Sequence, residues 1–210
     1  MKTTSNIRLI GLAGKKGAGK DTVAKSISGA QVYAFADELK YIVNRLFNIP
    51  LSLLHGSQED KNRLTHVIDP IEFNRMTVRE TLQVFGTDVC RTMSNEVWIN
   101  SLDKRLKAEA DPDKVQIITD VRFTNEIEYI REMGGIVVYL TRDPNKVHVD
   151  RHISENTITK DKCDYTLDNA NCNLKTQKLG LMKIIDNYWG LNASELEWGE
   201  LWGGSRNVNG

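Results

Sequence analysis

The chain predicts an α/β fold, a three-layer α/β/α arrangement around a mostly parallel central sheet. Three observations carry that reading. Continuous apolar runs at Ile7–Leu12, Val115–Thr119 and Ile136–Leu140 suit strands covered by helices on both faces. Between the second and third runs, Asn125–Met133 reads as a helix stopped by Gly134-Gly135, which makes a strand–helix–strand unit. A glycine-rich stretch, GLAGKKGAGKDT from Gly11 to Thr22, joins the first run to a helix-forming segment, Thr22–Ile27.

The first strand leads into that stretch, where Gly14, Gly19 and Lys20 match G-x-x-x-x-G-K, the pattern of a phosphate-binding loop. Glycines let backbone N–H groups crowd round an anion, the next helix aims its N-terminus at the phosphates, and the lysine reaches the outer ones. Gly14, Lys15, Lys16, Gly17, Ala18, Gly19, Lys20, Asp21 and Thr22 are therefore the candidate triphosphate contacts. One letter departs from the pattern. Asp21 stands where Ser or Thr is usual, and Thr22 follows it. An acid there either faces solvent or favours the helix through its dipole.

A short run, Val32–Ala36, is the next strand candidate, and Asp37 and Lys40 of FADELK follow it. Strand ends are where α/β proteins place ligand contacts, yet Asp37 also suits a helix N-cap, and both roles stay open. From Asp37 to about Ala110 apolar residues recur at helical spacing. They fall at Leu39, Ile42, Val43 and Leu46, then Val78, Leu82, Phe85 and Val89, then Val97, Leu102 and Leu106. Breaks fall at Pro50, His55-Gly56, Asp69-Pro70 and Gly86-Thr87. The stretch reads as a helical insertion in a single domain spanning the 210 residues.

The second apolar run ends in IITDVRFTNE, Ile117 to Glu126. An acid at the end of such a strand is what a phosphate-loop enzyme sets near its magnesium ion. Asp120 is the candidate, acting through water, with the Thr22 hydroxyl as partner, because magnesium takes few protein ligands. Phosphoryl transfer also needs positive charge around the transferred group. Arg79, Arg91, Arg122, Arg142 and Arg151 supply candidates at element ends. Arg79 and Gln83 share one helical face by their i, i+4 spacing, and Arg122 follows Asp120 closely enough to face the same cleft. The polar segment Asp143–Lys162 is a candidate lid, Thr166-Leu167 a short apolar element, and Leu174–Tyr188 a last helix packed through Leu179, Met182, Ile185 and Tyr188.

Composition narrows the class. Lys plus Arg and Asp plus Glu are both 28, so no basic excess favours a nucleic-acid polymer or an acidic membrane surface. No run approaches the ~20 apolar residues of a membrane span. Three cysteines without a C-x-x-C pair read as reduced thiols of a cytoplasmic protein. His148 and His152 sit four apart, but no third ligand accompanies them.

Taken together, GKKGAGKDT, FADELK, RETLQVFGTDVCR with Trp98, IITDVRFTNE and RHISEN resemble the phage-type deoxynucleoside monophosphate kinases, P-loop enzymes of the nucleoside-monophosphate-kinase type. The resemblance covers most of Ile7 to Leu181, and the pairing of GTD-x-x-R with TDVRF-x-N-E is its most specific part. In that family G-K-D-T replaces G-K-S/T, so Asp21 becomes a family mark. The resemblance implies transfer of the ATP γ-phosphoryl group to a deoxynucleoside monophosphate, with magnesium, in the cytoplasm (the host's, for a phage protein), and a homodimer. It implies that Asp37, Lys40, Arg79, Gln83, Gly86, Thr87, Arg91 and Trp98 line the monophosphate pocket with Asp120 and Arg122. Lys20 and Arg91 then serve catalysis, with Arg142 and Arg151 reaching the phosphates as the lid closes.

Two rival activities share parts of this pattern. A dephospho-coenzyme A or phosphomevalonate kinase has the same fold and a similar loop, and differs in the insertion that receives the acceptor. A nucleotide-hydrolysing switch is disfavoured, because NKVH at Asn145–His148 ends in His where guanine reading needs Asp, and Val121 follows Asp120 where motors carry a glutamate. A binding-only relative is disfavoured by the intact Lys20 and Thr22.

Overall fold

The computed structural model describes residues 7–141, 158–168 and 173–190. In chain order the elements begin β1 (Arg8–Ala13), α1 (Lys20–Ser26), β2 (Gln31–Tyr33), α2 (Asp37–Phe47), α3 (Leu51–Leu54) and α4 (Gln58–Lys61). Next come β3 (Leu64–Ile68), β4 (Arg75–Thr77), α5 (Val78–Gln83), a π-helical segment (Val84–Arg91) and α6 (Val97–Glu109). The last are β5 (Val115–Ile118), α7 (Thr124–Glu132), β6 (Ile136–Leu140), a 3-10 turn (Lys160–Lys162), β7 (Tyr165–Leu167) and α8 (Leu174–Trp189). They form two compact units: Phe35–Lys104, and the described residues of Met1–Ala34 with Arg105–Gly210.

The unit built on both chain halves is a five-stranded sheet in the order β2-β5-β1-β6-β7. All four pairings are parallel, with Ile10 opposite both Ile117 and Ile136. Alternation along the strands builds two layers of helix contact. Ile10, Leu12, Ile117, Val138 and Leu140 share a buried cluster with Val23 and Ala24 of α1 and with Leu181 and Ile185 of α8. Gly11 points the other way, toward α7. A Cβ there would meet Ile130 Cδ1 at 2.5 Å and Val121 Cγ2 at 2.8 Å, so any side chain at this position would displace both from the α7–β1 contact. Full burial of each large aliphatic side chain stabilises by roughly 1.5–3 kcal/mol, which is why these central strands are mostly apolar, with Gln116 of β5 the buried polar exception among their described residues.

The expected glycine stop after α7 is present. Gly134 adopts φ +78, and the N–H of Gly135 donates to the Ile130 carbonyl at 2.9 Å. At the sheet edge, Asp164 ties β7 to its neighbours. Its Oδ1 accepts from Arg131 Nε and Nη2 at 3.0 and 2.7 Å, and its Oδ2 from the Val137 N–H at 2.7 Å. In α8 the buried residues are Gln177, Leu181, Met182 and Ile185. The expected core positions Leu179 and Tyr188 are exposed, because the stripe that meets the sheet is rotated toward Leu181.

Most elements of the unit Phe35–Lys104 are helices, and one element is of a kind the periodicity did not show. β3 and β4 form an antiparallel hairpin. Its turn is organised by Asp69, whose Oδ1 accepts from the N–H groups of Ile71 and Glu72 at 2.7 and 2.8 Å. A second expectation needs correction. Gly86-Thr87 does not break the helix, because both lie inside the continuous π-helical segment Val84–Arg91. Gly86 is needed for packing there, since a Cβ would meet Leu39 Cδ2 at 2.5 Å.

Candidate active site

The loop between β1 and α1 is shaped by its glycines. Gly14, Gly17 and Gly19 adopt φ of +136, +78 and +89, conformations that side chains resist. A Cβ on Gly14 would also stand 2.5 Å from the Leu140 carbonyl of β6. Such a run of left-handed glycines turns successive backbone N–H groups into one concavity, the geometry that holds phosphates. The lysine ammonium is held across it: Lys20 Nζ donates to the carbonyls of Gly14 at 2.6 Å and Lys15 at 3.2 Å. Lys15 and Lys16 add positive charge to the same loop.

Asp21 and Thr22 are exposed on the first turn of α1. With Lys25, Ser26 and Leu174 they line an open recess of about 360 Å³. Asp120 follows β5, whose neighbour β1 ends at the phosphate loop, so both stand at the carboxyl edge of one sheet. The backbone around Asp120 is fixed to two strands. Thr119 N–H donates to the Tyr33 carbonyl at 3.0 Å, and Val121 N–H to the Leu12 carbonyl at 3.2 Å.

Asp120 is not the cap of α7. That role falls to Glu126, a buried carboxylate whose Oε2 accepts from the N–H groups of Arg122 at 2.7 Å and Phe123 at 3.1 Å. Nothing in the sequence reading assigned Glu126 a task. The available signal was an acid in the first turn of a helix, a capping position.

In the unit Phe35–Lys104, Asp37 is the first residue of α2 and Ala36 stands at the N-cap. The Asp37 carboxylate instead pairs with Lys40 at 3.4 Å, one turn on. Arg79, at the start of α5, donates from Nη2 to Gln58 Oε1 at 2.6 Å. Its Nε is buried, with no acceptor among the described residues. Arg91 closes the π-helical segment and is buried, with Nη1 donating to the Asn95 carbonyl at 3.1 Å. Trp98 is 5 % exposed, and its indole N–H donates to the Gly86 carbonyl at 2.9 Å. That bond makes Trp98 a brace for the π-helical segment, and its ring is packed in the unit's interior. Gln83 and Thr87 are half-buried on the same run. Arg142, Arg151, His148 and His152 lie outside the described residues, as does most of the expected lid.

The parallel sheet and the glycine loop with its spanning lysine define the class, a P-loop phosphotransferase fold. The model of the deoxynucleotide monophosphate kinase family matches residues 52–177. A protein of Acanthamoeba polyphaga mimivirus, provisionally named a deoxynucleotide monophosphate kinase, is 33% identical over 165 residues, covering 70% of this chain and 80% of that protein. The deoxynucleoside-5'-monophosphate kinase of Escherichia phage T5 is 32% identical over 115 residues, covering 51% of this chain and 45% of that protein. The chain belongs to the deoxynucleotide monophosphate kinase family. Among solved structures, a Thermus thermophilus protein superposes with a TM-score of 0.48 at 14% identity, covering 87% of this chain and 98% of that one.

Proposed function

We propose that this chain transfers the γ-phosphoryl group of ATP to a deoxynucleoside 5'-monophosphate, giving the deoxynucleoside diphosphate and ADP. The observation that carries the reading is the complete phosphate loop, with Lys20 clasped to the Gly14 and Lys15 carbonyls, on a chain of this family. In the reaction an oxygen of the acceptor monophosphate bonds to the γ-phosphorus as the bond to the β–γ bridging oxygen breaks. Little covalent chemistry falls to the protein, so its task is to position the groups and offset charge.

Lys20 exchanges its two carbonyl partners for phosphate oxygens and neutralises the charge that builds on the transferred group. The donor's nucleoside enters the recess beside α1, whose lining starts at Asp21 and offers hydroxyls at Thr22 and Ser26 and an apolar wall at Leu174. Thr22 and Asp120 are hard oxygen donors of the kind magnesium takes, and the bound ion would neutralise phosphate charge there. On the acceptor side, Asp37, Lys40, Arg79, Gln83 and Arg91 are the polar and charged groups that the reading assigns to the monophosphate. The buried Nε of Arg79 supports this, since a guanidinium donor removed from water without an acceptor is costly unless a ligand supplies one. Arg142 and Arg151 complete the assignment as charges brought to the phosphates.

A coupled ADP-release assay across dGMP, dTMP, dCMP, dAMP and their ribose counterparts tests the reading. Turnover with one or more deoxynucleotides is expected. Turnover with none of them, but with dephospho-coenzyme A, would replace the acceptor class.

A further inference from the structure

Glu126 is 2 % exposed, a buried carboxylate that the proposed chemistry does not use. It sits in the first turn of α7, and one oxygen, Oε2, receives the N–H groups of both Arg122 and Phe123. The turn it holds is the one that follows Asp120. Upstream, Thr119 is bonded to β2. Directly after Asp120, Val121 is bonded to β1 and packs where Gly11 lacks a side chain, 2.8 Å from the Cβ position. The next two N–H groups go to Glu126. The backbone is thus held on both sides of Asp120, by β2 before it and by β1 and a carboxylate after it.

A neutral cap would satisfy the same two donors with less desolvation. The carboxylate gains charge-assisted bonds, about twice as strong as neutral ones, and the positive end of α7. What fixes the Arg122–Phe123 turn is the reach of the side chain, which sets one oxygen against both N–H groups. We infer that Glu126 is a positioning residue for phosphoryl transfer, fixing the turn that follows Asp120 at the carboxyl edge of the sheet, the edge where the phosphate loop also stands. The inference rests on the role proposed for Asp120.

Two substitutions separate geometry from charge. Glu126→Gln keeps an acceptor oxygen at the same reach. Glu126→Asp keeps the charge but withdraws it by one methylene. Glutamine should hold kcat within about threefold of wild type. Aspartate should lower kcat by roughly 10–100-fold and raise the half-activating magnesium concentration, the usual scale for losing a group that orients a metal's partner. In an Asp120→Ala background, Glu126→Asp should add less than about twofold, because coupled residues are not additive.

Wild-type kcat in Glu126→Asp overturns the inference, as does full additivity in the double variant. So does the reverse order, with aspartate active and glutamine impaired, since charge and not position would then matter. Should Glu126→Asp not fold, Glu126→Asn takes its place as the shortened side chain: the same fall in kcat with a raised half-activating magnesium concentration supports the inference, and wild-type values overturn it. Full turnover in Asp120→Ala would remove the Asp120 assignment and this inference together. A loss there with none in Glu126→Asp removes this inference only.

Discussion

The Lys20 ammonium donates to two carbonyls of the loop it belongs to, those of Gly14 and Lys15. A charge already held at the loop needs little reorganisation when phosphates arrive, and such preorganised charges carry much of catalysis. Lys20→Ala is expected to lower turnover at least ~100-fold while leaving the thermal midpoint near wild type; steady-state kinetics with a melting curve checks both. Arg79 differs, since one donor is paired with Gln58 and another is buried without an acceptor. Arg79→Ala should raise the monophosphate KM about tenfold with kcat little changed, the mark of binding lost equally from ground and transition states. A rise confined to the ATP KM would move Arg79 to the donor side.

At the scale of elements, the π-helical segment shows how packing overrides a local signal. Gly-Thr inside a helical pattern reads as a break, yet the segment continues because Leu39 fills the space beside Gly86 and Trp98 bonds its carbonyl. Trp98→Phe keeps most of the ring but leaves that carbonyl without its donor. The expected cost is roughly 1–3 kcal/mol, seen as a lower denaturation midpoint in urea, with the monophosphate KM rising because Arg91 ends the same segment. An unchanged midpoint would show that the indole N–H is not what holds the segment. The β3–β4 hairpin was missed for a related reason. Its strands are short, with five and three residues, and its turn depends on one Asp side chain, a weak pattern beside the helical periodicity around it.

For the whole molecule, stability should carry a signature of Cys163. Burial, with the Asp164 carboxylate beside it, pushes its thiol from the usual range up to about 11. A folded-state value above the unfolded one means the stabilising contribution is complete below the unfolded pKa of about 8.5 and is lost as pH climbs toward 11. Urea unfolding between pH 8 and pH 10.5 should show wild type losing stability relative to Cys163→Ala as pH rises. Parallel curves would remove the thiol from the account.

The phosphate loop, the three central strands, the β5–α7–β6 unit and the family are legible in the order of the residues alone. Each of these is written in local pattern: apolar runs, helical spacing, or glycines at fixed offsets from a lysine. Tertiary structure decided what those patterns leave free. It put the core stripe of α8 on Leu181 and not Leu179, paired Asp37 with Lys40 instead of making it the N-cap, and turned Trp98 inward to brace Gly86. It also buried Glu126 under the turn after Asp120. The physical reason is the same throughout. A hydrogen-bond partner or a buried face belongs to the groups packed against it, and for Leu39 and Gly86, or for Gly11 and Val121, those groups are far apart along the chain.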